Sequence, residues 1–181
     1  MKTYIALFRG INVGGHNLLP MKALTALLES LGCRHVKTYI QSGNAVFRHA
    51  AGKAANLSNQ IRTAIKARHD LEPHIVLLEL PEMERAIASN PFPEAEPEPK
   101  SLHLFFLSST PQHPDLNALE SIRQGGERFF LQGKVFYLHA PDGIGRSKLA
   151  ARAEKALGVP LTARNWRSAC KIMEMAQHCG A

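Results

Sequence analysis

The sequence predicts an α+β protein made of two β-α-β-β-α-β type units in tandem, each an antiparallel sheet with helices on one face. Three observations lead there. Short apolar runs alternate with runs of helical spacing, the order of these runs repeats in the second half, and the two hairpins resemble each other, IQSGNAVF in the first and LQGKVF in the second. A chain of 181 residues is long enough for one good core or two small ones.

TYIALF (3–8) is a short apolar run with aromatic and β-branched members, the mark of a buried strand. Met21, Leu24, Leu27, Leu28 and Leu31 then recur at helical spacing. Pro20 suits the first turn, where a missing N–H costs nothing, and Gly32 is placed to end the helix. VKTYIQ and NAVFR read as strands on either side of a Ser42-Gly43 turn. Leu57, Ile61, Ala64, Ile65 and Arg68 trace a second helix, with Arg62 and Lys66 on its outer side, and HIVLLEL (74–80) is a further strand. This is the element order of a ferredoxin-like unit, and it fills residues 1–80.

Residues 81–100 hold a short helix at MERAIA and then NPFPEAEPEP, whose four prolines and three glutamates read as an exposed linker. The second unit occupies 101–181. SLHLFFL is a strand, and Leu116, Leu119 and Ile122 mark a helix opened by Pro114-Asp115. RFFLQGKVFYL is a hairpin around Gln132-Gly133. Arg146 to Leu157 is a helix with Leu149, Ala153 and Leu157 inward, PLTAR is a short last strand, and Asn165 to Gln177 is a final helix. Duplication is the economical account of this recurrence.

Composition narrows the functional classes. Apolar residues at 45% and charged residues at 20% describe an ordinary soluble globular chain, and the N-terminus runs from strand to polar loop without the core of a signal peptide. Three cysteines, Cys33, Cys170 and Cys179, have no CxxC spacing, which points to a reducing, cytoplasmic setting and away from a disulfide framework or zinc. The nine histidines are scattered without metal-binding spacing, and no motif asks for a metal or a cofactor. Charge is uneven: residues 1–69 carry ten Lys or Arg and one acid, Glu29, whereas 70–99 carry Arg85 against eight acids. A basic first third suits an anionic partner, although solvated cations also serve solubility.

In a sheet of this order the first two strands run the same way, so the loop after the first and the turn after the second emerge at one edge. Arg9–Leu19 then lies beside Gln41–Asn44, with the mouth of the first helix between them. Gly14, Gly15 and Gly43 permit close backbone approach there. Arg9, His16 and Lys22 supply cations, and Asn12, Asn17, Gln41, Ser42 and Asn44 supply neutral donors and acceptors. The same glycines are equally those of a simple hairpin, since GINVGGHN is neither GxGxxG nor a P-loop. PDGIGRSKL places Arg146, Ser147 and Lys148 at a helix mouth, where Ser147 also serves as a cap and two cations oppose the helix dipole. TARNWRS holds the one tryptophan, Trp166, between Arg164 and Arg167, an arrangement for stacking a base as well as for a core position; Asn165 is a helix cap. For acid–base chemistry the sequence offers His139 with Asp142, which an Asp-Gly turn explains more simply.

RGINVGGHNLLPM, TYIQSGNAVF, NPF, GIGRSKL and TARNW, in this order, resemble the bacterial family known as domain of unknown function 1697, over nearly the whole chain. The resemblance implies a duplicated ferredoxin-like arrangement and brings no activity. The expectation is therefore a cytoplasmic binding protein for a phosphate-bearing ligand, nucleic acid or nucleotide. The alternatives are a small transferase or hydrolase acting on an anionic metabolite and a self-associating interaction module.

Overall fold

The computed structural model describes residues 1–50, 52 and 54–180. Its elements are β1 (Lys2–Arg9), α1 (Met21–Ser30), β2 (Arg34–Thr38), β3 (Asn44–His49), α2 (Ala54–His69), β4 (His74–Glu79) and α3 (Leu80–Ala88). After these come β5 (Leu102–Leu107), α4 (Leu116–Ile122), β6 (Arg128–Gln132), β7 (Val135–His139), α5 (Lys148–Leu157), β8 (Leu161–Asn165) and α6 (Trp166–Gln177). Two four-stranded antiparallel sheets result, ordered β2-β3-β1-β4 and β6-β7-β5-β8. The fold is α+β and ferredoxin-like in both halves. No described helix is long and apolar enough to cross a membrane.

Two-residue periodicity builds the first core. Tyr4, Ala6 and Phe8 of β1 and Ala45 and Phe47 of β3 share one sheet face, and Leu24, Leu27 and Leu28 of α1 with Leu57, Ile61 and Ile65 of α2 cover it. The intervening Ile5 and Leu7 are also fully buried, which is why TYIALF is apolar at every position rather than alternating. In the second core Phe105, Leu107, Phe136 and Leu138 meet Leu119, Leu149, Ala153 and Leu157.

The repeat extends further than the sequence suggested. Phe8 N donates to Gly43 O at 2.8 Å, and Leu107 N donates to Lys134 O at 2.9 Å, so the two hairpins meet their central strands in the same way. Both last strands pass directly into a helix, at Glu79/Leu80 and at Asn165/Trp166. The repeated unit therefore has seven elements, β-α-β-β-α-β-α.

Two local details differ from the sequence reading. The expected strand VKTYIQ ends at Thr38, because Ile40 takes φ +48°, outside extended backbone. The proline-rich 90–99 stretch holds a single 3-10 turn at Pro93–Ala95, with Phe92 and Ala95 buried. By contacts the chain divides into 1–85 with 171–181, and 86–170. Composition suggested 1–80, 81–100 and 101–181; both contact boundaries instead fall inside the helix that closes a repeat.

Candidate functional site

The glycine-rich loop of the first unit folds on itself. Asn12 N donates to Asn17 O (3.1 Å), His16 N donates to Val13 O (3.0 Å), and Gly14 and Gly15 sit between them with φ +57° and +79°. Positive φ at both central residues is the signature of the type I′ hairpin, so these glycines are accounted for by a tight turn. The Asn12 side chain fastens its base. Its Nδ2 donates to Leu19 O and to Gln41 O, both at 2.9 Å, and its Oδ1 accepts from Leu19 N at 2.8 Å. Asn17 Nδ2 donates to Gly10 O at 2.8 Å.

The second turn lies alongside, as the sheet order requires. A Cβ on Gly43, whose φ is +81°, would come within 2.7 Å of both Phe8 Cβ and Ile11 Cδ1. Asn44 is fully buried, and its Nδ2 donates to Tyr39 O at 2.9 Å and to Ser42 Oγ at 3.3 Å. The structure thus brings Arg9–Leu19 and Gln41–Asn44 together, but the amides of Asn12, Asn17 and Asn44 serve the turns themselves. Gln41, Ser42, His16 and Lys22 are exposed. Arg9 and Gly10 line a cavity of about 240 Å³ that also contains Asp70 and Glu72, so its charge is mixed.

In the second unit a 3-10 turn over Ile144–Arg146 leads into α5. Ser147 Oγ accepts from Ala150 N at 3.1 Å and caps the helix, while Arg146 and Lys148 on either side are exposed. Asn165 Oδ1 accepts from Ser168 N at 2.8 Å, capping α6. Trp166 and Arg164 are each 8% exposed and so belong to the interior. Arg164 Nη1 donates to Thr162 Oγ1 (2.9 Å) and Ala163 O (2.7 Å). Burial lowers its pKa to about 10, which leaves it a cation at neutral pH. His139 is contacted by Arg128 Nη2 at 3.2 Å, and its pKa is lowered first by burial and then by that guanidinium.

Two residues missed in the sequence, Arg152 and Lys155, extend the basic set from Lys148. Lys148, Arg152 and Lys155 follow one stripe of α5 and line a groove of about 770 Å³ shared with α4. Leu119, Ile122, Ala151 and Ala156 give it an apolar floor, and Asp115, the α4 cap, is its one acid. The signal was present: if Leu149, Ala153 and Leu157 point inward, positions 148, 152 and 155 form the outer side. The corresponding groove of the first unit, between α1 and α2, is lined by Ser30, Leu31, Asn59, Gln60, Thr63, Ala64 and Ala67, without a charge.

A family model described as a protein of unknown function, DUF1697, matches residues 1–137. The chain belongs to the DUF1697 family. Among solved structures, this DUF1697 chain is similar to the conserved bacterial protein SP0830 from Streptococcus pneumoniae, with 25% identity and a TM-score of 0.68 over 97% of this chain and 98% of that one. No curated protein matches it significantly. The DUF1697 match includes the glycine-rich loop and the Gln41–Asn44 turn; Arg146–Lys148 and the groove side of α5 lie beyond residue 137. Among the described residues no three His, Cys, Asp or Glu side chains are grouped as metal ligands.

Proposed function

We propose that this DUF1697 protein binds the phosphate backbone of a nucleic acid along the α4–α5 groove of its second unit. The observation that carries the reading is the row Lys148, Arg152 and Lys155 in a groove with one acid, set against an uncharged groove at the equivalent place in the first unit. The fold alone does not call up such a row, since it builds the other groove without one. At about 1.5 Å rise per residue the row spans roughly 10 Å, which matches successive phosphates better than a single one. Arg146 and Lys148 add positive charge at the mouth of α5, where a negative group offsets their repulsion from the helix dipole. The groove lining has no aromatic side chain for stacking, so recognition is of backbone charge rather than of sequence.

The test is fluorescence anisotropy with labelled single-stranded and duplex oligonucleotides over a range of salt. Three phosphate contacts give an affinity that falls about twentyfold on duplex and about tenfold on single strands for a threefold rise in salt. The charge-reversed variant Lys148→Glu/Arg152→Glu/Lys155→Glu loses that dependence while its circular dichroism stays unchanged. Absence of binding at low salt, or full binding by the reversed variant, refutes the reading.

A further inference from the structure

We propose that the outer edge of β6 joins the same edge of a second copy of this chain, in an antiparallel pairing centred on Phe130. β6 ends its sheet and pairs there with β7 alone, and an edge strand presents a row of open backbone donors and acceptors. The hairpin between them has a two-residue loop, Gly133-Lys134, with φ +57° at Gly133, as a type II′ turn requires. In such a hairpin the closing pair Gln132 and Val135 shares the ladder bonds, and so do Phe130 with Tyr137 and Arg128 with His139. Phe129 and Leu131 therefore aim their N–H and C=O groups outward.

The side chains favour the same partner. Phe129 and Leu131 pack into the core beneath the helices, while Phe130 stands on the opposite face, 47% exposed. Pairing two copies about Phe130 sets Phe130 against Phe130, Phe129 against Leu131 and Arg128 against Gln132. No like charges meet, and the aromatic pair at the centre adds cross-strand contact. Arg128 is already compensated within its own chain, by an ion pair with Glu94 and by the Phe92 ring 4.7 Å from its guanidinium carbon. The edge strand β2 lacks this self-complementarity. It carries an irregularity between Arg34 and Lys37, and centring it on Val36 would set His35 against Lys37. Five-residue strands bury far less than the roughly 1,600 Å² of a standard interface, so the association is weak and rises with concentration. A two-fold axis through the joined sheet keeps the helices of both copies on one side.

Sedimentation velocity over about a hundredfold range of protein concentration tests the pairing. The wild-type chain shifts from monomer to dimer, and Phe130→Lys, which places two ammonium groups on the axis, remains monomeric with unchanged circular dichroism. A second pair of variants decides the matter even if Phe130→Lys folds poorly. Under mild oxidation Phe130→Cys forms an intermolecular disulfide, because residues directly opposite at a wide pair lie about 4.5 Å apart at Cα. Gln132→Cys, displaced from the axis, does not. A wild-type chain that stays monomeric throughout, a dimer that survives Phe130→Lys, or equal cross-linking by both cysteine variants overturns the proposal.

Discussion

His103 shows how much a single side chain can hide in an apolar strand. It stands in β5 between Leu102 and Leu104, is 8% exposed, and its Nδ1 is buried without a hydrogen-bond partner. Burial pushes its pKa from 6.5 down to about 4. Above pH 6.5 the imidazole is neutral in folded and unfolded chains alike. As pH falls from 6.5 towards 4 the unfolded chain takes up the proton and the folded one does not, so stability declines across that window by about 3 kcal/mol. Urea unfolding at a series of pH values should show this decline in the wild-type chain and its reduction in His103→Leu. The sequence showed a strand at SLHLFFL but not this residue's state, because a histidine in a strand can face either side. Gly43 has the same lesson in another form: Ser-Gly announced a turn, while Phe8 and Ile11, which leave no room for a Cβ there, lie more than thirty residues earlier in the chain.

At the level of elements, hydrophobic spacing was enough to recover α1, α2, α5 and α6, since each buries one stripe and exposes the other. Loops were less legible. Glycine-rich RGINVGGHN was open to reading as an anion cradle or as a hairpin, and the side-chain hydrogen bonds that fasten the base of the hairpin come from Asn12, whose partners lie seven and twenty-nine residues away. Asn12→Ala removes all three of those bonds and leaves a carbonyl at Leu19 and another at Gln41 without that donor. We expect a loss of about 1–3 kcal/mol together with faster amide exchange at Leu19, measured by hydrogen exchange. The strand β2 stopped short for a comparable reason: Tyr39 and Ile40 have strand composition, but Tyr39 N bonds Asn44 O and Ile40 turns the chain.

For the molecule as a whole, the duplicated order was legible because each copy repeats its apolar pattern, whereas the grouping of the last helix was not, because contacts across the length of a chain leave no local mark. Residues 171–181 belong with the first unit. Ile172, Ala176 and Cys179 are buried, Gln177 Nε2 donates to Glu84 Oε1 at 3.0 Å, and Cys179 Sγ contacts His35 O at 3.5 Å. Truncation after Cys170 should therefore cost about 3–5 kcal/mol by the apolar area lost, and the amides of β2 should lose exchange protection before those of β7. The uncharged groove between α1 and α2 has a different kind of value. A protein that carries its scaffold twice, once with lysine and arginine lining the groove between its helices and once with none in that groove, supplies its own blank, so a ligand held in the second groove and not in the first is held by those three side chains and not by the architecture they share.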